Sequence, residues 1–136
     1  MAETENLRRR AEREREEASK YAVTGFARKI VGIVDNLRRA IEAAPPSSDE
    51  GDGVLKNLLI GVEMTERELL AVLERHDIRA IDPLGEKFDP NLHQAISAQP
   101  DDGEPNRVIN VLQRGYSLHE RVIRPALVIV SAPKAG

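Results

Sequence analysis

The most constraining feature of this chain is a long stretch without proline: the first proline is Pro45, and the residues ahead of it are almost all good helix formers. One helix over residues 3–43 is the expectation, a rod of roughly 60 Å at about 1.5 Å of rise per residue. Its two halves differ in what they can bury. The apolar residues Ala22, Phe26, Ile30, Ile33, Leu37 and Ile41 fall four or three apart, which lays one stripe along a helix. Between residues 5 and 20, by contrast, eleven of sixteen side chains are charged, and only Leu7, Ala11 and Ala18 can form a seam. Arg8 with Glu12, Arg10 with Glu14 and Glu16 with Lys20 stand four apart, pairs that contribute a few tenths of a kcal/mol each at best.

A stretch so charged reads either as a solvated helical arm or as a weak two-stranded coiled coil in which the alanines let two copies approach closely. Length favours self-association, because a long lone helix with one thin seam gains little from packing. The expected assembly is a parallel homodimer.

Residues 44–53, APPSSDEGDG, should end the first helix in a flexible break. A second helix then starts at Val54, with Leu55, Leu58, Leu59, Val62, Leu69, Val72 and Leu73 on one face. Two stripes joined by a short loop make an antiparallel hairpin, and four from two copies make a bundle. Gly61 stands out, because glycine in an exposed helix interior costs up to about 1 kcal/mol relative to alanine. Neutral drift would explain it; so would the close approach of another backbone, which makes Gly61 a contact candidate.

After His76 the pattern changes. The segments IRAI, HQAIS, RVINVLQ and RVIRPALVIV are short, β-branched and separated by turn formers, so residues 77–136 read as a small all-β module leaning on helices in residues 1–76. Pro125 interrupts the last segment and should sit at an edge or bulge. The fold class is α+β.

Composition excludes several functions. The longest uninterrupted apolar run, residues 126–130, is far too short to cross a bilayer, so no membrane association and a cytoplasmic location are expected. Absence of cysteine removes disulfides, thiolate metal sites and thiol nucleophiles together. The net charge of −3 divides into +2 over residues 1–43 and −5 over the rest, and every basic cluster in the first part is interleaved with glutamate. With only Tyr21, Phe26, Phe88 and Tyr116 to stack on bases, nucleic acid is not the expected partner.

Catalytic chemistry is thin. His76, His93 and His119 have no metal-ligand spacing, and neither a GxSxG nucleophile motif nor a phosphate-cradling GKS or GKT occurs. No cofactor, metal or direct nucleotide binding is expected. Asp89 beside His93 could be drawn as an acid and base, but Asp89-Pro90-Asn91 is better read as a turn, with His93 as its hydrogen-bonding post.

Three stretches, ENLRRR at residues 5–10, FDPNLHQAI at 88–96 and GYSLHERVIRPALVIV at 115–130, together resemble the signature of the GrpE family, the adenine-nucleotide exchange factors of DnaK-type heat-shock chaperones. The resemblance implies a homodimer of long paired helices, a four-helix bundle and a compact β wing on each subunit. It also implies a mechanical co-chaperone in protein folding and the stress response: the wing enters the chaperone's ATPase domain, pushes one lobe outward and opens the ADP pocket, with no bond made or broken. Carried onto matching positions, the implied partner contacts are Phe88, Pro90, Leu112, Arg121 and Val130 on the wing, and Arg8, Arg9, Tyr21, Glu42 and Gly61 on the helices. The dimer seam is expected to use Leu7, Ala11, Ala18, Ala22, Phe26, Ile30, Ile33 and Leu37 of the first helix, with Leu55, Leu58, Leu59 and Val62 of the second. Family members usually carry an acidic segment and further helix ahead of ENLRRR, whereas Met1 stands almost on that point. A shorter seam should weaken the dimer or lower the melting temperature of its helices. The rival readings are a coiled-coil adaptor or scaffold with a β interaction module, and a small hydrolase using Asp89 and His93.

Overall fold

A computed structural model describes residues 2–45 and 53–133. The expected linker over residues 44–53 therefore lies mostly outside the described residues. Three helices come first: α1 (Ala2–Tyr21), α2 (Thr24–Ala43) and α3 (Gly53–Arg75). Six strands follow: β1 (Ile78–Ile81), β2 (His93–Pro100), β3 (Val108–Gln113), β4 (Gly115–Leu118), β5 (Arg121–Arg124) and β6 (Ala126–Ala132).

The long first helix is interrupted where one continuous rod was expected, and Ala22 falls in the break instead of heading the stripe. Val23 takes φ −87° and ψ 4°, and the Thr24 hydroxyl donates to the Tyr21 carbonyl at 2.7 Å. Two β-branched residues followed by Gly25 make this the weakest helix-forming point in the run, and the threonine side chain offers its backbone an alternative bond. At the other end of α2, Ala44 is extended (φ −64°, ψ 132°), as the residue before a proline must be.

α1 buries no residue. Arg8 pairs with Glu12 at 3.8 Å and Arg10 with Glu14 at 3.7 Å, as the spacing predicts, and Arg9 adds a pair with Glu5 at 3.8 Å. Glu16 and Lys20 do not pair.

α2 has two apolar faces. The expected stripe is the outer one, with Phe26 and Ile33 exposed; the inner face is Ala27, Val31 and Val34, all fully buried. Those three join Leu73 of α3 with Ile78, Tyr116, Leu118 and Ile123 of the strands in a single core cluster, with Ile30, Leu69 and Leu70 packed at its margin. Burying each valine is worth about 1.5–3 kcal/mol, which fixes the helices to the β module. Polar ties across the same contact reinforce it: Arg28 donates to the Ile123 carbonyl at 3.0 Å, and Arg124 forks onto Asp35. Between α2 and α3, Arg38 grips Glu66, which is 5% exposed, through bonds of 2.8 and 2.6 Å. Hydrogen bonding to Glu66 raises the pKa of Arg38.

The strands form two three-stranded sheets, ordered β1-β4-β5 and β2-β6-β3. β4, the segment GYSL, was not expected as a strand. In the first sheet all pairing is antiparallel, with Ile78 opposite Leu118 and Ile81 opposite Gly115. In the second, β6 lies parallel to β2 and antiparallel to β3, and a bulge sits between Ala95 and Ser97. Its core is Val108, Ala126, Val128 and Val130, with Phe88 packed against it. Pro125 is neither at an edge nor in a bulge of one long strand. It stands between β5 and β6, where the chain leaves one sheet for the other, and β6 beyond it is the central strand of its sheet. A proline there removes no ladder hydrogen bond.

Candidate functional site

Tyr21 closes α1 and Arg121 opens β5, and the fold brings the two together from opposite ends of the sequence. The Arg121 guanidinium carbon lies 3.8 Å from the centroid of the Tyr21 ring, a cation–π contact. The His119 ring stands nearly perpendicular to the Tyr21 ring, at 5.8 Å and 86°. Beneath it, His119 Nδ1 is 3.4 Å from an Asp77 carboxylate oxygen, and the His119 N–H donates to the Asp77 carbonyl at 2.8 Å. Both residues have positive φ, 61° at Asp77 and 55° at His119, a left-handed backbone that aspartate and histidine tolerate better than most. These two turn residues carried no signal in the sequence beyond one unassigned histidine.

The 88–93 turn is a second exposed feature. Asp89 accepts the N–H groups of Leu92 and His93 at its carbonyl, at 3.0 and 2.8 Å, and that of Asn91 at its carboxylate, at 2.9 Å. His93 is 5% exposed and its Nδ1 accepts the Asp89 N–H at 3.0 Å. The imidazole is thus a post for the turn, and its Nδ1 is already occupied. Phe88 is half buried against His93 at 5.8 Å, while Pro90 is exposed at the tip.

A cleft of about 230 Å³ separates α2 from β3 and the β1–β2 loop; Glu42, Leu84, Leu112 and Tyr116 all line it. Burial raises the Tyr116 pKa, and its hydroxyl has no hydrogen-bond partner among the described residues. Asp35, on the α2 wall, is pushed up by burial and pulled down harder by hydrogen bonds from Arg124 and Gln113, so its pKa lies below the ordinary 3.8.

Arg8 and Arg9 are exposed along α1, each held only by a glutamate on the same helix. Gly61 is exposed on α3, and a Cβ there would meet nothing within 4 Å. Val130, by contrast, is 7% exposed, so its side chain packs in the second core. Of the expected seam residues, Leu7, Ala11, Ala18, Ala22, Phe26, Ile33 and Leu58 are exposed, while Ile30, Leu37, Leu55, Leu59 and Val62 are half buried. No group of three or more His, Asp or Glu among the described residues could hold a metal ion. No described helix is long and apolar enough to cross a membrane.

The architecture is that of a helical platform, with an exposed apolar stripe on α2, carrying a small two-sheet β module on which Arg121 is exposed while Arg114 and Arg124 are half buried. The chain belongs to the GrpE family: the GrpE family model matches residues 1–132. Among its relatives, the protein GrpE of Rhizobium leguminosarum is 51% identical over 139 aligned positions, covering 99% of this chain and 66% of that protein. The protein GrpE of Brucella melitensis is 50% identical, covering 96% of this chain and 58% of the relative, and that of Paramagnetospirillum magneticum is 49% identical, covering 99% and 68%. The chain thus spans roughly three-fifths to two-thirds of the length of these relatives.

Proposed function

We propose that the chain is an adenine-nucleotide exchange factor, a co-chaperone that binds the ATPase domain of a DnaK-type heat-shock chaperone and accelerates ADP release. Membership of the GrpE family is the observation that carries this reading. The exchange factor acts as a shaped lever: it binds the open form of the ATPase domain better than the closed one, so it weakens ADP binding, and ADP weakens its binding by the same factor. Support comes from the solvent-facing groups on two walls of the molecule: Tyr21 with Arg121 at the helix break, Phe88 and Pro90 at the wing turn, Glu42 and Leu112 about the cleft, and Arg8, Arg9 and Gly61 along the helices. Val130 contributes to this surface through the shape of β6 rather than through its own side chain.

The working form is a homodimer in a cytoplasmic setting. α1 supplies a parallel coiled-coil seam through Leu7, Ala11 and Ala18, and the outer stripe of α2 joins α3 in a four-helix bundle. Phe26 at 68%, Leu58 at 63% and Met64 at 60% exposure are apolar surface that a second copy would cover. The helical unit of residues 1–76 then serves dimerisation, and the wing of residues 77–136 serves the chaperone contact.

Stopped-flow release of a fluorescent ADP from a DnaK-type chaperone tests the reading. The expected result is a large acceleration by the wild-type chain, retained in His93→Gln and lost in Arg121→Ala. An unchanged ADP dwell time with wild-type protein would overturn it in favour of an adaptor role.

A further inference from the structure

We propose that the outer edge of β2 is a self-association surface, on which β2 of a second copy of this chain pairs antiparallel and extends the second sheet. This contact is separate from the helical dimer and from the exchange reading, neither of which uses the strand.

Among the described residues, β2 pairs with β6 on one side and with no strand on the other. Every residue from Gln94 to Pro100 is exposed, whichever face of the strand it occupies, and Ile96 is 53% exposed. Sheet edges are ordinarily blunted by charge, by cover or by irregularity. The edges of the first sheet, β1 and β5, carry the exposed Arg79 and Arg121. β3, the other edge of the second sheet, runs along the cleft beside α2, and Gln113 ties it there by donating to Asp35 at 3.0 Å. β2 has neither device: it holds no lysine, arginine, aspartate or glutamate. Its one irregularity is the bulge between Ala95 and Ser97, which leaves Ile96 without an opposite residue on β6. Buried His93 and Pro100, which has no N–H to donate, bound the usable window to residues 94–99.

The sequence of that window selects the occupant. Gln94-Ala95-Ile96-Ser97-Ala98-Gln99 reads almost the same in both directions. A two-fold axis between Ile96 and Ser97 sets Gln94 opposite Gln99, Ala95 opposite Ala98 and Ile96 opposite Ser97 of the other copy, the self-complementary match that a symmetric contact between identical edges requires. No charge meets its like, and the glutamine amides, each both donor and acceptor, can bond one another at the two ends. A ribbon of this length spans roughly 20 Å, which buries less than the roughly 1,200 Å² at which interfaces become stable. The pairing is therefore transient and rises with concentration.

Sedimentation of the full chain from about 10 µM to about 1 mM tests the edge. The weight-average mass of the wild-type chain is expected to rise about twofold above its low-concentration value, whatever assembly the helices have already made. Ile96→Lys puts a charge on the exposed edge and should hold the low-concentration mass throughout, with an unchanged melting temperature. Ile96→Thr, neutral and β-branched, should still associate, which separates the effect of charge from a loss of strand structure. Because the chain has no cysteine, the register can be trapped by oxidation: a mixture of Ala95→Cys and Ala98→Cys chains should yield the mixed disulfide in severalfold excess over either homodisulfide. A mass independent of concentration overturns the proposal, as does association that persists in Ile96→Lys and so belongs to another face. Homodisulfides as abundant as the mixed one also overturn it, since they exclude the two-fold register.

Discussion

Arg124 of β5 donates through two nitrogens to Asp35 of α2, at 2.5 and 2.9 Å, and also bonds the Arg114 carbonyl. One guanidinium therefore ties the wing to the helix that carries it. Because hydrogen bonds hold Asp35 below its ordinary pKa, its contribution is complete above about pH 5 and is lost as pH falls through the folded-state value. Acid unfolding followed by circular dichroism should show stability declining below about pH 4. In Asp35→Asn that acid limb should flatten, with a loss of about 2 kcal/mol at neutral pH because Arg124 stays buried without its charge partner.

Gly115 has no room for a side chain. A Cβ there would stand 2.5 Å from the Ala126 nitrogen, 2.7 Å from the Arg124 carbonyl oxygen and 2.8 Å from the Pro125 carbonyl carbon, all backbone. Gly115→Ala should cost about 3 kcal/mol or more in urea unfolding, since backbone at a sheet crossing cannot withdraw as a flexible side chain would. A cost below 1 kcal/mol would mean that β4 and the Pro125 crossing sit further apart.

Gly61 should behave in the opposite way. With open space around it, Gly61→Ala is expected to raise helix stability by about 0.5–1 kcal/mol, read as a higher melting temperature. If the chaperone backbone approaches here, the same substitution weakens the complex while strengthening the free chain. Unchanged affinity would identify the glycine as drift.

The two faces of α2 can be separated by charge. Phe26→Asp and Ile33→Asp, on the outer face, should convert a dimer to a monomer in sedimentation at micromolar concentration while leaving the wing folded. Val31→Asp, on the fully buried inner face, should unfold the wing, because it places an unpaired carboxylate in the shared core.

Much of this arrangement was legible in the sequence, and the omissions have physical causes. Helix existence followed from the long proline-free run, but the break at residues 22–23 depends on a local contest between Thr24 and the helix ladder. The outer stripe of α2 was visible because Phe26, Ile33 and Leu37 are large, whereas Ala27, Val31 and Val34 are small residues whose burial depends on α3 and on a sheet whose strands lie far along the chain. β4, GYSL, opens on glycine and has no β-branched residue, so it did not register as a strand, whereas the equally short IRAI and RVIR did. Pro125 looked like an interruption because strand identity was read along the chain, while sheet membership is decided across it. At the candidate site, Phe88, Pro90 and Arg121 were identified through a family motif; the Asp77–His119 interlock arises from two unrelated turns, and only folding makes them neighbours.

The position of β6 sets the timetable of synthesis. β2 and β3 do not pair with each other, and both wait for a central strand that begins at Ala126. Until that segment has cleared the ribosome, β2 and β3 remain open edges able to pair with a neighbouring nascent chain. The second sheet is therefore completed only once β6 has emerged, and its assembly competes with aggregation during that interval.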